Sequence, residues 1–324
     1  MLKVTVPSRI HFTLLDLGLT GYRRNGGVGF SITAPAAQFE FEKHPTIDLS
    51  ELKATGFSAS EIKSLTNRVL AAKDSFGGTN GILLKRRTIS ERHIGLGVGT
   101  STALACVEAL CLLNEKKIEP EEIVRFSGRG GTSGIGVHGY FSGGFIFDVG
   151  RRFDSKPLLS SDDIMTPPTI PLAITQMDMP DWPVGLFHPP GAKAVSLEDE
   201  RNLFSSTLPL TPEEVYKVTY HAVFGIVAAV ADQDFDGFCS AINAIQECSW
   251  KQHEIKLHGP SVQLYLEPLR DLGCSAVGMS SVGPTLYFFS RNFESTVERI
   301  KQRYPNASVL TAFPSNTGRL VNHA

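Results

Sequence analysis

An α+β fold in two domains is what this sequence predicts, and three observations carry the prediction. The chain has 324 residues, about two domains at roughly 150 residues each. Its strand-like and helix-like stretches do not follow strict βαβ alternation, which disfavours a wholly parallel sheet. A segment rich in Ser, Asp and Pro at 151–171, including Pro167-Pro168, divides the chain into domains at 1–165 and 166–324.

In the first domain, residues 2–6, 10–15, 28–32 and 38–43 alternate as strands do, with turn chemistry at Gly21 and Asn25-Gly26-Gly27. Ile62, Leu65, Val69 and Leu70 give 60–72 a helical face. A strand at 81–87 leads through a polar approach, 88–93, to a glycine cluster and a helix at 100–113. A short helix at 119–126, a glycine-rich loop at 128–136 and a strand at 144–149 follow. In the second domain, 172–177 and 184–187 read as strands. Two long helices come next, 212–230 and 235–250, the first entered through Thr211 as N-cap and Pro212 as first helical residue. A helix at 261–272, strands at 276–279 and 285–289, a helix at 293–303 and a strand at 307–313 complete it. This half reads as helices on a small, mostly antiparallel sheet.

Charge and composition exclude several function classes. With 31 Lys+Arg against 33 Asp+Glu the formal charge is −2, so the basic face that nucleic acid requires is not expected. No apolar run approaches the ~20 residues of a membrane span; the longest, 222–231, reads as a buried helix. The opening MLKVTVPSRI has no apolar signal region. Cys106, Cys111, Cys239, Cys248 and Cys274 show neither CxxC nor zinc spacing, which predicts buried free thiols and a cytoplasmic location.

The strongest local signal is Gly95-Leu96-Gly97-Val98-Gly99-Thr100-Ser101, preceded by Arg92-His93-Ile94. Alternating glycines let backbone N–H groups turn inward, and the following helix N-terminus adds a positive dipole end, the ingredients of a phosphate cradle. The plainer reading is a turn capped by Thr100 or Ser101. The segment lacks the lysine of GxxxxGK[ST] and is a poor dinucleotide fingerprint. A second cluster, Gly128-Arg129-Gly130-Gly131-Thr132-Ser133-Gly134-Ile135-Gly136-Val137-His138, offers Arg129 as an anion partner; a mobile surface loop is its plainer reading. A third, Val277-Gly278-Met279-Ser280-Ser281-Val282-Gly283-Pro284-Thr285, is a turn that could floor a pocket. Arg9 and His11 share a strand face. Arg23 and Arg24 sit beside Asn25-Gly26-Gly27, with Asp16 as the nearby carboxylate or a turn residue. Residues 188–204, with Lys193, Glu198 and Glu200, are either part of an acceptor pocket or an exposed amphipathic segment.

Together these segments resemble the superfamily of galactokinase, homoserine kinase, mevalonate kinase and phosphomevalonate kinase. Gly97-Val98-Gly99-Thr100-Ser101-Thr102-Ala103 stands on that superfamily's G-L-G-S-S-A-A phosphate loop. Its S-G-I-D loop corresponds to Ser133-Gly134-Ile135-Gly136, so the acid that assists phosphoryl transfer in several members is missing. The segments Arg9-Ile10-His11-Phe12, Arg24-Asn25-Gly26-Gly27-Val28-Gly29, His93-Ile94-Gly95-Leu96-Gly97, the second glycine cluster and the 278–285 turn look like those of the β-ribofuranosylaminobenzene 5′-phosphate synthase family. Asn25 stands where that family favours Asp.

The resemblance implies a two-domain GHMP-kinase-like fold, a ribosomal-S5-like N-terminal domain followed by a ferredoxin-like C-terminal α/β sandwich. It implies a decarboxylating pentosyltransferase that joins phosphoribosyl pyrophosphate to an aromatic carboxylic acid, of 4-aminobenzoate or 4-hydroxybenzoate type, in a methanopterin-type pathway. Other readings are a C-nucleoside-type synthase using a heteroaromatic carboxylate, an ATP-dependent small-molecule kinase, and a non-catalytic phosphometabolite-binding protein. Under the first reading, Asp16, Arg24, His93 and His138 are the catalytic candidates. Arg9, His11, Gly26, Gly27, Gly95, Gly97, Gly99, Thr100, Ser101, Arg129, Gly130, Gly131, Thr132, Ser133, Ser280 and Ser281 are the substrate-binding candidates. Asp16 would face the ribose cation, bind Mg²⁺ or orient an arginine, while the arginines neutralise the leaving pyrophosphate. Mg²⁺ is a compatible partner with no ligand set read from the sequence; no organic cofactor is expected, and a homodimer is.

Overall fold

The computed structural model describes residues 1–88, 93–160 and 169–323. The expected domain boundary at 165/166, Pro167-Pro168 and Arg92 lie outside the described residues.

The first sheet is built on two long strands, β1 (Leu2–Asp16) and β2 (Arg23–His44), paired antiparallel from Leu2↔Phe41 to Asp16↔Asn25. The four short strands expected from sequence are thus two, because Asn25-Gly26-Gly27 runs inside β2 and does not turn the chain. Its glycines answer to crowding: a Cβ on Gly27 would stand 2.7 Å from both His11 Nε2 and Ser133 Oγ. The reversal falls instead at 17–22, where the Asp16 carboxylate accepts from Gly18 N (3.1 Å) and Thr20 Oγ1 (2.6 Å). Register shifts between Val6 and Ser8 and between His11 and Thr13 mark bulges that bend β1.

After a 3₁₀ turn at Ser50–Thr55 come α1 (Ala59–Ser75), β3 (Gly81–Thr88), α2 (Val98–Leu113) and α3 (Pro120–Ser127). Ser58 and Glu61 close a capping box on α1. Next are α4 (Ile135–Phe141), β4 (Phe145–Asp148), β5 (Arg151–Arg152) and β6 (Ala173–Met177). The sheet runs β11-β1-β2-β4-β6, with β3 and β5 also paired to β2, and β11 is the strand Leu320–His323. Strands from beyond residue 165 therefore complete it on both flanks.

The remaining elements are β7 (Val184–His188), α5 (Leu197–Thr207), α6 (Pro212–Tyr220), a π-helical segment at His221–Val227, α7 (Ala228–Asp232) and α8 (Phe235–Gln246). Then follow α9 (Ser249–His258), α10 (Pro260–Asp271), β8 (Ala276–Met279), β9 (Leu286–Phe289), α11 (Phe293–Arg303) and β10 (Ser308–Ala312). The second sheet, β10-β7-β9-β8, is antiparallel throughout, as expected. The helix expected at 235–250 breaks at Cys248, whose extended ψ of 149° starts α9.

α2 is apolar all round because it is buried all round, packed against α1, α3 and the first sheet. A second core joins the sheets: Phe12 of β1 lies 5.4 Å from Tyr287 and 5.8 Å from Phe238, and Phe30 of β2 lies 6.2 Å from Phe289. The five cysteines are buried free thiols. Among the described residues no helix is long and apolar enough to cross a membrane.

Glu108, buried in α2, is the one carboxylate of that apolar helix. It accepts from Tyr140 Oη at 2.6 Å and from Arg319 Nε at 3.0 and 3.1 Å, tying α2 to the approach to β11. Arg319→Ala leaves this charge without its counter-ion. Because Arg319 is a quarter exposed, the expected loss is about 2–3 kcal/mol, below the roughly 3–5 kcal/mol of a fully buried pair, read by urea unfolding.

Candidate active site

Three segments far apart in sequence meet at the carbonyl of Gly95. Ser280 Oγ donates to it at 2.7 Å, and the Arg9 guanidinium also donates to it. His11 N donates to Ser280 Oγ (3.1 Å), and Ser281 N donates to His11 O (2.9 Å), so the 280–281 turn is stitched to β1. Gly95 has φ +88°, and a Cβ there would lie 2.1 Å from Ser280 O; this approach requires glycine. Gly97, at φ +84°, is the N-cap of α2 and carries the Arg9 side chain against its Cα. The helix starts at Val98, two residues before the expected start, with no side-chain cap, so its positive end faces the cleft. Thr100 and Ser101 lie in the first turn and are not caps: Ser101 Oγ donates to Val98 O, and Thr100 Oγ1 accepts from Arg129 Nε (3.2 Å).

A cavity opens here. Of the residues to which the sequence pointed, Arg9, His11, His93, Gly95, Gly97, Gly99, Thr100, Arg129, Thr132, Ser133 and Ser281 line it. Ser101 and Ser280 stand behind the wall, held as described. Gly26 and Gly27 back it from β2, with Gly26 N donating to Thr132 O (3.2 Å) and the Asn25 side chain to Gly131 O (3.2 Å). Gly130, at φ +85°, packs on Pro171. The second glycine cluster is thus a wall held against β2, and its last part is helix α4, which low glycine propensity hid from sequence reasoning.

Three catalytic candidates are placed elsewhere. Asp16 caps the 17–22 turn. Arg24, almost wholly buried, pairs with Asp154 and donates to the carbonyls of Lys156 (2.8 Å) and Pro157 (2.7 Å), organising the 154–157 segment. His138 donates its Nε2 proton to Pro171 O (2.8 Å) beside a separate cavity. None of the three supplies an acid at Gly136, which lines the cleft with Thr100 Cγ2 only 3.2 Å from its would-be Cβ.

Glu200 and Phe204 of α5 and Trp250 and Glu254 of α9 complete the cavity wall. Sequence reasoning named Glu200 only as part of a stretch and missed α9. The signals were present: Ser196 caps α5 at Asp199 N, and Trp250 and Glu254 are spaced i, i+4 on one face. Beneath Glu254, fully buried Lys251 pairs with it at 2.6 Å and donates to the carbonyls of Met279 (2.8 Å) and Ser281 (3.0 Å), fixing the 280–281 turn. Burial lowers the Lys251 pKa and raises that of Glu254, each opposed by the partner's charge.

The site is poised for anions. Burial, then Arg129, brings the Arg9 pKa down to about 10, so Arg9 stays cationic at neutral pH. Burial, with Arg9 and Lys251 nearby, holds the His11 pKa well below its ordinary value, so this imidazole is neutral. Asp148 is wholly buried behind Ser133, and burial raises its pKa to about 6. Among the described residues no three His, Cys, Asp or Glu side chains gather as a metal cluster.

Two outcomes follow. Gly95→Ala, which drives a methyl into Ser280 O, is expected to destabilise the protein by about 1–3 kcal/mol in urea unfolding. Asp148 has a folded pKa above its unfolded value, so the native state holds more protons between pH 3.8 and about 6. Its contribution to stability therefore falls as pH rises through that window, by about 2–3 kcal/mol. Urea titrations from pH 4 to 7 on the wild type and Asp148→Asn should show that slope in the former alone.

Comparison with known proteins places this site in context. The chain is 30% identical over 308 residues to β-ribofuranosylphenol 5′-phosphate synthase of Archaeoglobus fulgidus, covering 94% of this chain and 92% of the relative. The enzyme of that name from Methanothermobacter thermautotrophicus is 30% identical over 294 residues, 88% of each chain. No protein-family model matches. The fold is that of the GHMP kinases. Homoserine kinase from Cytophaga hutchinsonii superposes with a TM-score of 0.69 at 14% identity, covering 99% of this chain and 97% of the other. L. major mevalonate kinase, solved in complex with R-mevalonate, gives 0.61 at 13% identity over 98% of this chain and 96% of the other. With its sequence aligned along nearly its whole length to enzymes of the pentosyltransferase type, the chain belongs to the β-ribofuranosylphenol 5′-phosphate synthase family.

Proposed function

We propose that this enzyme joins phosphoribosyl pyrophosphate to an aromatic carboxylic acid, releasing CO₂ and pyrophosphate and giving a β-C-riboside 5′-phosphate. The product name of the relatives favours a 4-hydroxybenzoate-type acceptor in a methanopterin-type pathway. The C1′–O bond breaks with its electron pair leaving on pyrophosphate. The ring carbon bearing the carboxylate attacks C1′, and the bond to CO₂ breaks to restore aromaticity.

The observation that carries this reading is a kinase-type phosphate loop beside an acid-free Gly136. Phosphoryl transfer loses its usual carboxylate there, while everything needed to hold phosphate remains. A second cavity across the α2 N-terminus shares Gly99 and Arg129 and adds Arg68 and Arg201. The two cavities suit a sugar with an anion at each end, with Arg9 on one side and Arg129 between them. Positioning and preorganised positive charge then do most of the work as pyrophosphate departs. Were Mg²⁺ to enter with the substrate, Glu200 and Glu254, which line the cleft, would be the described carboxylates able to hold it, and it would neutralise charge on the leaving group.

Incubating the protein with phosphoribosyl pyrophosphate, Mg²⁺ and a panel of aromatic acids should release pyrophosphate and CO₂ in equal amounts with one acid. Pyrophosphate without CO₂ would mean hydrolysis or N- or O-ribosylation, and ATP consumption with an alcohol would mean a kinase. Arg129→Ala should lower kcat/KM about 10²–10³-fold.

A further inference from the structure

We infer that the acceptor's aromatic ring binds on the α5/α9 wall of the cleft, against Leu14, Phe204 and Val282, with Glu200 receiving its hydroxyl or amino pole. The inference rests on the proposed function in one respect, that the acceptor is an aromatic acid with such a pole.

The two walls of the cleft are chemically unlike. On one side stand Gly97, the uncapped start of α2, Thr100 and Arg129, all suited to an anion. On the other, the side chains that α5 and α9 set into the cleft are, among the described residues, two rings and two carboxylates. Each helix supplies one of each at i, i+4 spacing, Glu200 with Phe204 on α5 and Trp250 with Glu254 on α9. That spacing puts ring and carboxylate on one helix face, about 6 Å apart along the axis. Phe204 and Trp250 meet edge to face at 5.1 Å, and with Leu14 they belong to one buried apolar cluster on which Val282 packs. Lys251 is wholly buried in its pair with Glu254 and does not line the cleft.

This wall suits the acid and not the sugar. A phosphorylated pentose has no apolar face to lay on Leu14, Phe204 and Val282, and its pyrophosphate set directly against Glu200 and Glu254 would add like charges. A 4-hydroxy- or 4-aminobenzoate has an apolar ring, a donor at one pole and an anion at the other. Glu200, half-buried on the cleft wall, accepts from the donor pole. Repulsion from both carboxylates turns the acid pole toward the opposite wall, where the sugar lies. The carbon bearing the carboxylate is the one that must reach C1′, so charge and chemistry ask for the same orientation. The second cavity also has apolar residues, Phe57 and Leu65, beside Arg68, Arg129 and Arg201. A carboxylate gripped by arginines is stabilised as the anion and resists leaving as neutral CO₂, so that cavity suits phosphate.

Fluorine-19 NMR of protein labelled with 5-fluorotryptophan reads the wall directly. The chain has two tryptophans, Trp182 and Trp250, and Trp182→Phe assigns the signals. In Mg²⁺-free buffer with saturating ribose 5-phosphate and pyrophosphate, 4-hydroxybenzoate should shift the Trp250 signal and leave that of Trp182. Val282→Phe, which fills the subsite from a part-exposed position, should weaken 4-hydroxybenzoate at least about tenfold and keep pyrophosphate affinity within about twofold. Glu200→Gln should weaken 4-hydroxybenzoate about tenfold but not benzoate, which lacks the donor and is relieved of repulsion. A merely structural Glu200 would change both acids alike. An unmoved Trp250 signal, joint loss of pyrophosphate in Val282→Phe, equal losses for the two acids in Glu200→Gln, or loss of the acid in Arg68→Gln and not in Val282→Phe would each overturn the inference. Acid bound on this wall with no CO₂ released from phosphoribosyl pyrophosphate mixtures overturns the proposed reaction and leaves the subsite standing. Coupled release of pyrophosphate and CO₂ with the Trp250 signal unmoved does the reverse.

Discussion

The carbonyl oxygen of Gly95 is the point on which the rest of the site depends. Two donors from different parts of the chain, the Arg9 guanidinium and Ser280 Oγ, end on it, and a side chain at position 95 would strike Ser280 O and hold the 280–281 turn away. That contact places the start of α2 against β1 and sets the 280–281 turn beside both. The cleft is thus assembled at a junction of the two sheets, where the Phe12, Tyr287 and Phe238 rings lock the layers beneath it. Apolar packing supplies rigidity, and a backbone contact restricted to glycine supplies alignment.

Charge in the cleft is arranged in buried tiers. Lys251 is neutralised by Glu254 and spends its remaining protons on the two carbonyls that shape the serine turn. Asp148 does the same for the opposite wall by gathering N–H and O–H donors from 133, 134 and 150. Each buried ion is expensive unless fully hydrogen-bonded, and each here fixes a loop that would otherwise be free to move. Arg9 and Arg129 face the cleft between these tiers.

Much of this was legible in the sequence. The GLGVGTS run, Arg9 and His11 on one strand face and the serine turn all come together at one cleft. What misled was glycine read as punctuation. Gly26 and Gly27 lie mid-strand and serve contact, and the cluster at 128–136 runs into a helix. Asp16 and Arg24 were plausible as catalytic groups by type, but their partners are a turn and a loop, which no spacing rule reveals. Glu254 and Lys251 were overlooked because they sit on a helix whose burial is set by the tertiary fold, where charged residues look like a solvated face. Asp148, at the end of an apolar strand, offered no local sign that it would meet Ser133.

The pairing of β11 with β1 joins residues 320–323 to residues 2–5. During synthesis, β1 leaves the ribosome long before the strand that covers its outer edge. Until that strand arrives, the edge presents unpaired N–H and C=O groups to whatever is near. Such a high-contact-order closure slows folding, because the loop-closure entropy is paid before the last strand's hydrogen bonds form.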